Sequence, residues 1–578
     1  MSWLFGIIGN AVSESDIENA KRIHGKPLFT VSNRTTYYVA AGGNKYTCQS
    51  HTSPTDQNTF WIGLGCVFKD TGSRKIIFGL EEWSNASHNP EILNNCDGHY
   101  IFFNYKNNQF DIRSDSLGQR TVYWYKNKNT IVISTRLSWI TRYIGGSSIQ
   151  YDIFGSRWLL YNQLSYKSLV RDIERLGPNG KLVISGDTIK WSESPFLPQP
   201  PQVFSYDSII SLLRKLTMPE ISEKLTMSFG ISGGIDSRVL LSLLLNSPKY
   251  AFRAHTFGEA KDPDVTSAIK IQQIENFEHQ IINLPLPSAS NIFPVVKEFA
   301  SQTNLNEPIS TFLRIRHYNS LNPERLFLMD GAYGEFARRQ YFKRVSLYGK
   351  RYLYKKNAAA LQRFLHYNKG NIFNTEITQR MNKGITDEIQ YMFDTMPPLQ
   401  EMGIANYLDL WSIRARLPNF GADEQARLDE IILNYMPFTQ KSFLDMLFSI
   451  PADLRANGKL FRDIIAREHP SLKNYPLVKN NTTYPFMFSA QTSIVYTKIK
   501  SMLGFVYRES GVHEFLLLMK DHIFDLVHSR MTREYDPYNY AKLLGTIEQY
   551  YAGNTALASQ INWWITFELW RRDIEDVH

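Results

Sequence analysis

The sequence predicts a two-part protein. A β-rich α+β N-terminal part is followed by an α/β part on a parallel sheet, with a helical C-terminal portion. Three observations carry this. Up to about residue 190, alternating, aromatic-heavy runs recur at short spacing, separated by turn residues such as GGN, KNN and KNKN. Pro195 to Pro201 (PFLPQPP) holds four prolines in seven residues, which neither a helix nor a central strand tolerates. Beyond it, short apolar runs alternate with helical patterns, the rhythm of strands joined by crossover helices.

The predicted strands of the first part are TYYVAA, FWIGLGCVF, KIIFGL, YIFFNY, VYWYK and TIVIST. After the proline segment come the strand LTMSFGI, the helix RVLLSLLLNS, the strand FRAHTF, a helix around VTSAIKIQQI and the strand HQIINL. From Ala360 onward the chain reads as mostly helical. The expected domains are 1–194 and 205–578, with 195–204 as linker. At about 150 residues per domain, a chain of 578 residues is long enough for both.

Composition narrows the classes. Hydrophobic residues are 43% and charged residues 21%, which excludes a disordered chain. No apolar run reaches the ~18 residues of a membrane span, and the start MSWLFGIIGNAVSESD lacks a basic n-region, so a cytoplasmic location is expected. Three cysteines, Cys48, Cys66 and Cys96, cannot staple a secreted scaffold, and residues 97–578 contain none, so chemistry there proceeds without a thiol. A net charge of +9 is diffuse over so long a chain, and nucleic acid is not the expected partner. One stretch is denser: Phe336–Asn357 holds eight basic residues and no acid, interleaved with aromatics. It reads either as a solvated face or as a grip for an acidic substrate.

The chemistry centres on Ser232-Gly233-Gly234-Ile235-Asp236-Ser237, between a predicted strand and a predicted helix. Adjacent glycines let the backbone turn and approach a ligand closely. A helix N-terminus presents free N–H groups and a positive dipole. Ser232 and Ser237 add hydroxyls, and the whole is a phosphate cradle. Asp236 would repel a bare phosphate, so a bridging cation is implied, and Mg²⁺ suits a carboxylate plus phosphate oxygens. The GK[ST] ending of a Walker A loop is missing.

This loop resembles the SGGxDS pyrophosphate loop of the ATP pyrophosphatase superfamily, and the text around it resembles the asparagine synthetase family. Residues 97–139 resemble that family's stretch from "DGMFAF" through "RDRLGxKPLYY" to "FASELK". MSWLFGIIG resembles "MCGIFGIIG", ERLGPNGKLVISGDTIK the "LPPGHxL" strand pair, and LMDGAYGEFARR the "SGxGADExFGGY" loop. PFTQKSFLDMLFSIPADLRANGKLFRDII and INWWITFELWRR resemble its later segments, so the resemblance spans nearly the whole chain.

The resemblance implies an Ntn-hydrolase-like α-β-β-α sandwich of the class II glutamine amidotransferase type, then an ATP pyrophosphatase-type sheet. It also implies a glutaminase site without its machinery. Ser2 stands where the family has its cysteine nucleophile, and Trp3 replaces a glycine. Serine is an N-terminal nucleophile in other hydrolases of this fold. However, "RGPD" is absent, and "NGEIYN" is replaced by IFGLEEWSN, which lacks the oxyanion donors. Asp97 is retained in its DG pair.

In the second half, the resemblance implies that Asp236 and Asp330 hold Mg²⁺ and that the second carboxylate of the acidic loop falls on Tyr333 or Glu335. Lys459 offsets charge in the transition states. The nucleotide lies along Gly230, Ile231, Thr256, Phe257 and Met329. Catalytic roles fall to Lys459, Asp330 and Glu335. The expected activity is an ATP-dependent amide-forming ligase, making an acyl-adenylate and then an amide. The expected partners are a small-molecule, glycan or peptide carboxylate of anionic character, ammonia or an amine, and a second copy of the chain. The alternatives are an inactive binding or scaffold protein and a lasso-peptide or β-lactam cyclase-like amide synthase.

Overall fold

A computed structural model describes residues 2–33, 35–53, 59–247, 250–321, 323–367, 369–479, 481–504 and 511–575. The protein is mixed α/β, with antiparallel sheets in its first part and a parallel sheet later.

Two antiparallel sheets face each other in the first 192 residues. The first runs Ile173–Arg175, Tyr123–Lys126, Thr130–Ser134, Trp3–Gly9, Tyr37–Gly42, Phe29–Asn33. The second runs Thr188–Ser192, Lys181–Ser185, Gln109–Ser114, Asp97–Lys106, Phe60–Asp70, Cys48–Thr52, with Lys75–Ile77 paired to the end of Phe60–Asp70. Alternation fixes what each face buries. Leu4, Val39 and Ile133 of the first sheet share one apolar cluster with Ile62, Ile101 and Ile112 of the second. The outer face of the first sheet carries Trp3, Phe5 and Tyr38 against Ala20, Trp139 and Ile140 of helices Glu14–Ile23 and Leu137–Ile144. The outer face of the second carries Trp61 and Phe102 against Trp83 of helix Leu80–His88. The layers are therefore helix, sheet, sheet, helix.

Trp3 has a packing role. Its ring stacks on His24 with centroids 5.1 Å apart and meets Trp139 edge-on at 5.1 Å.

The later sheet has five parallel strands in the order His279–Ile282, Phe252–Phe257, Thr226–Gly230, Leu326–Met329, Leu433–Tyr435. The chain steps outward from Thr226–Gly230 in one direction, then returns to lay Leu326–Met329 on its other side. That reversal is a topological switch point, where a crevice opens beyond the strand ends. Both of the last two strands escape the sequence reading, and Leu433–Tyr435 lies inside the stretch expected to be helical.

The two parts are packed together. Phe68 of the second antiparallel sheet lies 4.4 Å from Tyr435, centroid to centroid. Helices Tyr151–Leu159 and Thr375–Thr395 cross at Gly155 and Gly384. A Cβ at Gly384 would lie 1.9 Å from the Asp152 carbonyl oxygen, so only glycine permits this approach. The proline segment has no regular structure, yet it is pinned: Arg414 Nε donates to the Phe196 carbonyl at 2.7 Å and Gln199 N to Asp445 Oδ1 at 3.0 Å. Among the described residues, no helix is long and apolar enough to cross a membrane.

Candidate functional site

The Ser232–Ser237 loop and Asp330 leave the adjacent strands Thr226–Gly230 and Leu326–Met329 at the switch point. Phe229 and Met329 are in register, so Gly230 and Asp330 emerge side by side. A Cβ on Gly230 would lie 3.7 Å from Asp330 Oδ2. Helix Ile235–Leu245 starts at the end of the loop, and its N-cap, Gly234, supplies no side chain to cap it. Its first-turn N–H groups are the ones a helix leaves without intrahelical partners. The loop holds its own shape: Ser232 N donates to Ser237 Oγ at 3.2 Å, Gly234 N to Ser232 Oγ at 3.2 Å, and Gly233 N to Asp264 Oδ1 at 2.7 Å. Hairpin Leu477–Lys479/Thr482–Tyr484 covers its outer side, with Val478 N donating to the Gly233 carbonyl at 2.9 Å.

Asp236 faces a guanidinium. Arg338 Nη2 donates to its Oδ2 at 2.5 Å, while its Oδ1 is buried with no hydrogen-bond partner. Burial and the nearby Glu335 charge push the Asp236 carboxyl up to about 6, despite the opposing pull of Arg338. Asp236 thus has a protein partner as well as an open oxygen for a cation. Gly334 makes it possible, because a Cβ there would sit 2.4 Å from Asp236 Cγ. Asp330 Oδ1 accepts from Ala332 N at 2.9 Å, and burial raises its carboxyl although Arg314 works against this.

Of the two candidates for the second carboxylate, only Glu335 is near. Its charge acts on both Asp236 and Asp330. Tyr333 turns away, buried, with its hydroxyl donating to Glu424 Oε2 at 3.0 Å. Arg314 links Glu424 to Glu307 at 3.3 Å each. Among the described residues, no cluster of three or more His, Cys, Asp or Glu is arranged to hold a metal. A cation here would take the free Asp236 Oδ1, Asp330 and ligand oxygens, which fits Mg²⁺ in character.

The predicted nucleotide residues line the neighbouring strand ends. Thr256 Oγ1 donates to the Ile231 carbonyl at 2.8 Å and lies 2.9 Å from His279 Nε2. Phe257 stacks on His317 with centroids 5.2 Å apart. Met329 is fully buried and belongs to the core. His255, 2.9 Å from Ser228 Oγ, is held neutral by burial, its imidazole pushed down to about 4. Lys459 opens helix Lys459–Glu468 after Gly458, whose ideal Cβ would lie 3.4 Å from Arg338 Cδ and 3.6 Å from Ile235. The backbone is therefore close to the loop. The side chain is exposed and lines a separate cleft of about 660 Å³ with Arg462, Asp463 and Phe486.

The first part holds a different arrangement. Ser2 is fully buried; Arg120 Nη1 donates to its Oγ at 3.3 Å and Nη2 to its carbonyl at 2.6 Å. Arg120 also pairs with Asp429, which takes His99 Nε2 at 2.9 Å and Asn434 Nδ2 at 2.7 Å. Burial alone would lower the His99 imidazole; the Asp429 charge outweighs it and raises it to about 10. Asp97 accepts from Lys75 Nζ at 2.8 Å, Ser442 N at 2.8 Å and Ser442 Oγ at 2.6 Å. IFGLEEWSN runs into helix Leu80–His88, with Gly79 N donating to Glu82 at 3.0 Å.

The basic stretch is not one uniform face. Arg338 pairs with Asp236, and Arg339 Nε with Asp409 at 3.0 Å. Lys343 and Arg344 line a pocket, while Lys350, Lys355 and Lys356 face solvent. Arg338, Arg314, Asp264 and Glu424 escape the sequence reading. The one available signal was Arg338, which immediately follows the acidic loop.

No protein-family model matches the chain, and no curated protein does. Among solved structures it is similar to a glutamine phosphoribosylpyrophosphate amidotransferase from B. subtilis, at 10% identity over 58% of this chain and 77% of that chain, with a TM-score of 0.23. It is also similar to a structure described as the allosteric regulatory enzyme of purine biosynthesis, at 10% identity over 60% and 77%, with a TM-score of 0.22.

Proposed function

We propose that the chain is an ATP-dependent amide-forming ligase of the asparagine synthetase type, with an amidotransferase-like, Ntn-hydrolase-type N-terminal part that no longer hydrolyses glutamine. The observation that carries this is the Ser232–Ser237 loop at the switch point, where Asp236 keeps a buried, unpartnered Oδ1 and Asp330 emerges from the neighbouring strand. The uncapped helix N-terminus and the loop hydroxyls suit the phosphates of ATP. Mg²⁺, held by Asp236 and Asp330, would supply neutralisation of the phosphate charge.

In this reading an oxygen of the substrate carboxylate attacks the α-phosphorus, and the bond to the β-phosphate oxygen breaks, releasing pyrophosphate. Ammonia or an amine then attacks the acyl carbon, loses a proton to solvent, and AMP leaves with the electrons of the C–O bond. The first-turn N–H groups of helix Ile235–Leu245 and Arg338 stabilise the departing pyrophosphate charge. Lys459 contributes only if its exposed side chain swings toward the loop. The test is ATP–pyrophosphate exchange and AMP formation across a panel of carboxylates with ammonium supplied. Exchange that depends on a carboxylate supports the reading. Absence of exchange with every carboxylate favours the inactive binding protein.

A further inference from the structure

A pocket of about 330 Å³ is walled by Tyr161, Tyr341, Phe342, Arg344, His366 and Arg416. Its size suits a small organic ligand. Arg416 is only 6% exposed, and its Nε and Nη1 have no hydrogen-bond partner. Its guanidinium lies among ring faces, 4.5 Å from the Tyr341 centroid, 4.8 Å from Tyr161 and 4.9 Å from Phe420. Rings attract the charge but do not accept its in-plane N–H groups. A buried charge with open donors is costly unless something pairs with it. None of the pocket's lining residues is acidic, and Lys343 and Arg344 add positive charge at its wall. Asn162, also on the lining, has a buried Oδ1 without a partner, a place for a ligand hydroxyl or amine to donate.

The pocket communicates with the loop through one short segment. Gln340–Arg344 forms its wall, and two residues earlier Arg338 holds Asp236. Glu335, whose charge reaches Asp236 and Asp330, also reaches Arg416.

We propose that this pocket binds an organic acid with an aromatic or apolar body, its anionic group paired with Arg416 and its body against Tyr161, Tyr341 and Phe342. Only the identification of that acid as the molecule to be activated rests on the ligase reading; the binding does not.

The test titrates the full-length protein with 3-phenylpropionate and with its uncharged amide by calorimetry. The acid should bind the wild-type protein, and the amide at least about tenfold more weakly, since a hydrogen bond to a charged group is of that size. Arg416→Met should weaken the acid by about tenfold or more and leave the amide unchanged. His366→Trp, at an exposed rim position, should weaken both by filling the mouth, and it keeps the test decisive if Arg416→Met fails to fold. Equal binding of acid and amide, acid binding unchanged in both variants, or no binding at millimolar acid would overturn the proposal and leave Arg416 a structural cation among rings. ATP–pyrophosphate exchange in the same wild-type preparation separates the two readings. Acid binding that needs Arg416, without any exchange, keeps the pocket and removes the ligase.

Discussion

The N-terminal Ser2 region, at the joint between the two parts, and the Ser232–Ser237 region, within the second part, both gather charged side chains, and they differ in how those charges are satisfied. Around Ser2, each of these charged groups among the described residues has a partner: His99 and Arg120 share Asp429, and Asp97 takes Lys75 and Ser442. Ser2, His99 and Asp429 are fully buried. Around the loop, Asp236 keeps one oxygen unmatched, and Arg416 beyond it keeps two nitrogens unmatched. Buried charges that are all paired fix structure, whereas a charged group left open in a crevice awaits a ligand; the contrast is one of charged groups, since Asn434 Oδ1 beside Asp429 is also unpartnered. On this contrast, the first region is a buried interface between the two halves, and the second is the candidate site.

The largest effect should come from Asp429→Ala. It strands two buried cations, which costs about 3–5 kcal/mol, and denaturant unfolding measures it. A loss below about 1 kcal/mol would mean that the network does not hold the interface. Asp236→Asn should do the reverse: AMP formation falls at least about 100-fold, while stability at pH 8 changes by no more than about 1 kcal/mol, because the Arg338 pair is partly exposed. The sign follows from the raised carboxyl. Its stabilising contribution is complete below about pH 3.8, the ordinary value, and is lost as pH rises through about 6, so ionised Asp236 is held at a cost to the fold. For the same reason Mg²⁺ affinity at the loop should climb as pH rises through about 6, because the cation competes with the proton on Asp236, and this limb should vanish in Asp236→Asn. A Mg²⁺ affinity flat from pH 5 to 8 would detach Asp236 from the cation. The smallest effect belongs to Ser2→Ala. It removes one long, 3.3 Å hydrogen bond from a guanidinium, worth about 1.5 kcal/mol, and should leave ammonium-dependent AMP formation unchanged.

What the sequence revealed follows the range of the interactions. The strands Tyr37–Gly42, Phe60–Asp70 and Asp97–Lys106 carry their pattern locally and were legible, as was the loop between Thr226–Gly230 and Ile235–Leu245. Leu433–Tyr435 was not, because three residues cannot show a period and only the neighbouring strand makes them extended. Asp236 was legible as chemistry, but its partner Arg338 lies 102 positions away and was legible only as one charge of a basic run, either a solvated face or a grip for an acidic substrate. Arg416 carried no local signal at all. Its meaning depends on rings drawn from residues 161, 341 and 420.

The contrast between the two regions is tested most directly by supplying nitrogen in two forms to the wild-type protein with ATP and an accepted carboxylate, and measuring AMP and glutamate together. Ammonium should support AMP and amide formation, and glutamine should support neither, with no glutamate released. Glutamate released from glutamine in step with AMP would contradict the account, since it would require the buried Ser2 region to be a working site.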